Sequence, residues 1–170
     1  ASTGWRGCLA ANQDFQFLGV AVEIKCTRAA SPTSVHIANV RQLDDDEVGA
    51  LYLGVISIDR NMSAGQSLPA LVAALRTKLD GEALGVFNEG LREAGYLDVH
   101  ESLYTRHLHR VLDQWQHEVR DGFPRIMRSS LPEGVSGVAY KISLAACAPF
   151  RLEQGEMITR VLNLQNNSEV

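Results

Sequence analysis

The chain has 170 residues, 45% of them hydrophobic and 21% charged, the size and balance of one globular domain with a core. Disorder, a collagen-like rod and a disulfide-held mini-protein are excluded. Sixteen Lys+Arg against twenty Asp+Glu leave a formal net charge of −4. That excludes a polybasic nucleic-acid binder, so any contact with phosphate has to be local. Cys8, Cys26 and Cys147 are odd in number, widely spaced and without a CxxC pair, which argues for a reducing compartment and a cytoplasmic location. No apolar run approaches the roughly 20 residues of a membrane span, and no signal peptide opens the chain, so a soluble protein without a membrane partner is expected. The start, Ala1-Ser2-Thr3-Gly4 without a methionine, fits the C-terminal part of a longer protein.

In chain order, Asp14 to Phe17 and Leu18 to Cys26 form two extended stretches around Gly19, the second rich in β-branched residues. Val35-His36-Ile37 predicts a short third strand, Ala38 to Leu43 a helical turn or two, and Asp44-Asp45-Asp46-Glu47 an acidic loop. Leu51 to Ile58 is apolar nearly throughout, as in a strand buried on both faces of a central sheet. Ser67 is an N-cap followed by Pro69, and Leu68, Leu71, Val72, Leu75 and Leu79 recur at helical spacing. A second helix is predicted over 82–94 with Leu84, Phe87 and Leu91 inward and Gly95 as its C′ glycine. Beyond Tyr96 the pattern turns to β: 104–112, then Trp115, His117 and Val119, and finally Val138, Tyr140, Ile142 and Leu144. No linker or repeat divides the chain. The expectation is one domain over 1–170, with a core sheet and helices over 1–98 and a β-rich extension over 99–170.

The residues most informative about chemistry are Asp14 and, on the following strand, Glu23-Ile24-Lys25. Side chains alternate on a strand, so Glu23 and Lys25 share one face with Ala21 and Gly19, while Val20, Val22, Ile24 and Cys26 take the other. Two carboxylates from adjacent strands, with the carbonyl of Ile24 between them, offer the hard oxygen ligands that Mg²⁺ prefers, and Mn²⁺ can substitute. Lys25 then stands where a bound water and a phosphate need a positive charge. The competing account is an ordinary solvent-facing Glu–Lys strand pair.

The pattern D-x8-E-I-K resembles the PD-(D/E)XK nuclease superfamily, the fold of type II restriction enzymes. The longer run through GWRG, QDFQF, VAVEIKCTRA, VHIANVRQLDDD and LYLGVISI looks like the PD-(D/E)XK motif proteins encoded beside methyltransferases and helicases in bacterial restriction and phage-defence islands. The resemblance implies a restriction-endonuclease-like α/β fold, a mixed central sheet flanked by helices, and a Mg²⁺-dependent DNA endonuclease. In it, Asp14 and Glu23 would be metal ligands, Lys25 the catalytic lysine and Gln42 a glutamine that orients nearby groups. It also implies a homodimer, with a methyltransferase or helicase as partner. Two positions depart from the family pattern: Gln13 replaces the proline usual before the aspartate, and the helix expected ahead of the first strand has no room before Trp5. The rival reading keeps the fold without the chemistry, as a DNA-binding or scaffold subunit of a defence complex.

Arg28 and Arg41, close in sequence to the motif, are the expected phosphate contacts. His107-x-His109 puts two imidazoles on one strand face, but no third ligand has zinc spacing, and exposed strand histidines are the competing account. Arg106, Arg110, Arg120, Arg125 and Arg128, interleaved with Tyr104, Trp115 and Phe123, offer a DNA-facing arm, but Glu101, Asp113, Glu118 and Asp121 largely balance them, and a solvated β-hairpin is the competing account. The acidic run at 44–47 lacks EF-hand spacing. Gly134-Val135-Ser136-Gly137 is not a nucleophile elbow, and with no P-loop and no GxGxxG an ATPase or dinucleotide enzyme is disfavoured.

Overall fold

The computed structural model describes residues 4–7, 11–17, 19–61 and 63–167; Cys8 and Leu18 lie outside them. Strand β1 (Phe15–Phe17) pairs antiparallel with β2 (Val20–Thr27). The turn between them needs Gly19, whose φ of 73° is one that side-chain-bearing residues avoid. The Gly19 carbonyl also accepts the N–H groups of Gly49 and Ala50, which sets the start of β4 (Ala50–Asn61) beside the start of β2. These two strands run parallel in register from Val20↔Ala50 to Thr27↔Ser57. A parallel pair demands a crossover. Here it carries β3 (Ser34–Ile37) and a 3-10 turn over Val40–Leu43.

The sheet continues through β6 (Leu108–Val119), antiparallel to β4, and then β5 (Gln66–Ser67), with β8 (Arg151–Leu152) also on β6. It is therefore a six-stranded mixed sheet, flanked by α1 (Leu68–Arg76), α2 (Gly81–Glu93), the short α3 (Glu101–Tyr104) and α4 (Leu144–Cys147), and α5 (Glu156–Asn167). This is an architecture of the restriction-endonuclease-like kind. β3 pairs instead with β7 (Tyr140–Ser143) in a separate two-stranded sheet.

Alternation along β2 and β4 sorts the core onto two faces. Ala21, Leu51, Leu53 and Val55 pack with Ile37, Leu43 and Ile142 on one face, under the β3–β7 sheet. Val20, Val22 and Tyr52 pack with Met157 and Val161 of α5 on the other. A smaller cluster joins Val72 of α1, Leu91 of α2 and Tyr96, with Trp5, Phe87 and Tyr104 against it.

Four local expectations are corrected. Tyr104 ends a short helix and does not open a strand, because its ring stacks on Tyr96 at 4.9 Å and its hydroxyl accepts the Leu97 N–H. The β pattern on either side of Leu112 is one strand with a bulge: Ser57 faces Asp113 and Ile58 faces Val111, leaving Leu112 as the extra residue. Of the predicted inward stripe on α1, Val72 is buried but Leu68, Leu71 and Leu75 are exposed, since the small cluster beneath accepts a single ridge of the helix. The C-terminal part contributes strands as expected, but also closes with α5, a helix the strand pattern did not anticipate.

Candidate active site

Asp14 immediately precedes β1, and the antiparallel register, Phe15↔Val22, carries it to the level of Glu23. Its Oδ2 accepts the Ile24 N–H at 2.8 Å. Its carbonyl accepts the N–H groups of Arg6 and Gly7 at 2.7 and 2.9 Å. Gly7 is required there: a Cβ would stand 2.5 Å from Asp14 Oδ1, so a side chain at position 7 would collide with the carboxylate.

Glu23 points into the same face as Leu53 and Val55, and only 2% of its surface is exposed. The solvent-facing strand pair is thereby excluded. Lys25 lies two residues on, its Nζ 2.7 Å from Glu23 Oε1 and donating to Gln42 Oε1 at 2.8 Å. Gln42 comes from the 3-10 turn of the crossover, which Asn39 caps by accepting the Arg41 N–H and which is pinned to the core by Val40 and Leu43. The same Gln42 oxygen accepts the Ala38 N–H at 2.8 Å, so it cannot turn away from Lys25 without leaving a backbone donor. Glu23, Lys25 and Gln42 thus form one hydrogen-bonded row, with Asp14 held beside it through the backbone of Ile24.

Burial pushes the Glu23 carboxyl up to about 7, with the nearby Asp14 charge adding to the rise and the Lys25 ammonium opposing it. A buried carboxyl beside a second carboxylate is the setting that a divalent cation relieves, and the donors are all hard oxygens. Asp14 and Glu23, with the Ile24 carbonyl on the strand between them, therefore offer the kind of oxygen donors that a hard divalent cation takes. Ile24 sends its side chain to the opposite face, where Gly54 makes room for it: a Cβ on Gly54 would lie 2.6 Å from Ile24 Cδ1.

Arg28 lies just beyond β2, exposed, and lines a cleft with Arg60 and His109. Arg41 is exposed on the outer side of the crossover turn and lines a groove with Asn12 and Arg128. Neither makes a hydrogen bond to Glu23 or Lys25. Among the described residues, the carboxylates of Asp44, Asp45 and Asp46 also lie within 4.8 Å of one another. Asp45 pairs with the buried Arg125 at 2.9 Å, and Asp44 accepts the Arg128 N–H at 3.3 Å, so this loop is tied to the C-terminal half. Sequence reasoning missed the structural role of Gln13. It is 4% exposed, donates to the Arg41 carbonyl at 2.7 Å and accepts from Gln16 Nε2 at 2.8 Å, and so fastens the crossover turn to the strand that carries Asp14. The one signal was its place before the aspartate, where the family pattern has proline.

The family model described as "Putative PD-(D/E)XK family member, (DUF4420)" matches residues 1–145, a span that holds Asp14, Glu23, Lys25 and Gln42 and ends within α4. No curated protein and no solved structure is a significant match. Among the described residues, no helix is long and apolar enough to cross a membrane.

Proposed function

The chain belongs to a PD-(D/E)XK family, and from that premise we propose that it is a metal-dependent endonuclease that hydrolyses DNA phosphodiesters, in the restriction or phage-defence setting that the sequence resemblance implies. The observation that carries the reading is the meeting of Glu23, Lys25 and Gln42 in one hydrogen-bonded row beside Asp14. Asp14, Glu23 and the Ile24 carbonyl would hold Mg²⁺ or Mn²⁺, which when bound lowers the pKa of a coordinated water and offsets charge on the phosphate. Lys25 supplies the positive charge that orients the attacking water and stabilises the pentavalent phosphorus. Gln42 holds the ammonium in place, so its position costs nothing at the moment of reaction. In the reaction the water oxygen gives up one proton to solvent and bonds to phosphorus, the bond from phosphorus to one deoxyribose oxygen breaks, and that oxygen leaves with a proton taken back from solvent.

The test is cleavage of linear and supercoiled DNA with Mg²⁺ or Mn²⁺. Cleavage is expected to stop in EDTA and to fall at least about 100-fold in Glu23→Ala and Lys25→Ala. DNA retardation without cleavage by the unaltered chain would overturn the enzyme reading in favour of a binding subunit.

A further inference from the structure

A second feature lies at the carboxyl ends of β2 and β4. Along β4, Leu53, Val55 and Ser57 share the face of Glu23 and Lys25, so Ile58 and Arg60 point to the other. There, with Arg28, Leu68, Leu103, Tyr104, His107 and His109, they line an open cleft of about 530 Å³, within the range of small-molecule sites.

Several elements hold this lining in place. Arg28 sits in a loop whose next residue, Ala29, gives its carbonyl to the buried Ser57 hydroxyl at 2.7 Å and its N–H to Thr27 Oγ1 at 3.2 Å. Arg60 faces His109 directly across β4 and β6. β5 pairs with His109 from the far side, through Gln66. The turn before β5 presses on the His109 backbone so closely that a Cβ on Gly65 would be 2.5 Å from its carbonyl oxygen. Leu68 is fixed as the first residue of α1 by the Ser67 cap, and the Tyr104 ring is backed by Tyr96.

The charge is all of one sign. Arg28, Arg60 and neighbouring Arg106 form no ion pair among the described residues, in a chain whose net charge is −4. His107 is held below the usual imidazole range, first by loss of solvent and then by the Arg60, His109 and Arg106 charges. Clustered cations that repel one another cost the free protein stability, and an anion is what relieves them. Ile58, Leu68, Leu103 and Tyr104 add an apolar and aromatic wall, which a bare phosphate has no use for.

We propose that this cleft seats one nucleotide unit, its phosphate on Arg28 and Arg60 and its base against Tyr104 and Leu103. The size and the pairing of an aromatic wall with a cationic rim fit a single base and phosphate, not the broad surface a duplex covers. The unit comes from a DNA strand end or from a free nucleotide. Arg28 is three residues beyond Lys25, about 10 Å of strand, so a strand end would reach the seat around the end of β2 and not across the sheet. The seat lies on the opposite face from Glu23 and Lys25 and goes beyond the cleavage reading.

The test is calorimetric binding in EDTA, where no cleavage can occur, with the histidine ring signals followed by NMR. The probes are 5′-dAMP, a 5′-phosphorylated single-stranded oligonucleotide and inorganic phosphate. The nucleotide probes are expected to shift the His107 and His109 signals. R28A/R60A is expected to weaken nucleotide binding at least tenfold while keeping the wild-type circular dichroism, and the uncharged Leu103→Ser, at an exposed position, to weaken dAMP but not phosphate. Tighter binding of the oligonucleotide than of dAMP would identify a strand end as the occupant, and the reverse a free nucleotide. Undisturbed histidine signals, wild-type affinity in R28A/R60A, or phosphate binding as tightly as dAMP would overturn the proposal. These results are independent of the DNA cleavage assay, so failure of the seat and failure of the nuclease reading can be told apart.

Discussion

At the scale of single residues, the behaviour of the site turns on the Glu23 carboxyl, pushed up to about 7 from an ordinary 4.5. A carboxyl whose pKa is raised by folding favours the folded state while it is protonated. Its contribution is therefore complete below about pH 4.5 and is lost as pH rises through about 7. The shift corresponds to on the order of 3 kcal/mol. The metal-free protein is expected to melt at a lower temperature at pH 8 than at pH 5 on this account. His117, buried and held below its usual value by loss of solvent, acts with the opposite sign. The difference between wild type and Glu23→Gln isolates the carboxyl: their thermal melts should lie closest at about pH 4.5, where the carboxyl is as neutral as the amide, and separate as pH rises through about 7, where only the wild type carries a buried charge. Adding Mg²⁺ at pH 8 should raise the melting temperature of the wild type and leave Glu23→Ala unmoved. Gln42→Ala should lower kcat about tenfold with little change in KM, because it frees the Lys25 ammonium without touching substrate affinity.

At the scale of elements, turns and close approaches decide which strands meet. Gly65 combines a φ of 117° with a Cβ position 2.5 Å from the His109 carbonyl oxygen and 2.7 Å from its carbon. Backbone atoms cannot swing aside, so Gly65→Ala is expected to cost about 3 kcal/mol or more in urea unfolding and to detach β5 from β6. Gly81, with a φ of 46° but open space around its Cβ position, should cost only about 1 kcal/mol on the same change. The strand β2 was legible because its alternation places Val20, Val22 and Ile24 on one face and Ala21, Glu23 and Lys25 on the other, as the structure shows. α5 does carry an apolar stripe, Met157, Ile158, Val161 and Leu162 at helical spacing, but it lies beyond Leu144, where the strand pattern ends; the structure buries only the Met157 and Val161 edge of that stripe and leaves Ile158 and Leu162 exposed.

For the whole molecule, stability is divided between two apolar layers on opposite faces of one sheet. α5 seals the thinner layer, so Met157→Ala, which hollows the contact with Val20, Val22 and Tyr52, should cost about 2 to 3 kcal/mol by chemical denaturation. The loss should fall on stability while leaving the active row intact, since Glu23, Lys25 and Gln42 stand on the other face. The hydrophobic pattern of the central strands, the turn at Gly19, the helix after Ser67 and the one over 82–94, and the shared face of Glu23 and Lys25 were all readable from the residues alone. All of these depend on periodicities and backbone preferences that act over a few residues. Only the tertiary structure decided that Gln42 reaches Lys25, that Gln13 fastens the crossover turn to β1, that Glu23 is buried, and that Arg28, Arg60, His107 and His109 share a cleft. Those contacts join residues far apart in the chain, and their geometry is set by the parallel crossover and by β6 joining the sheet, which no local pattern encodes.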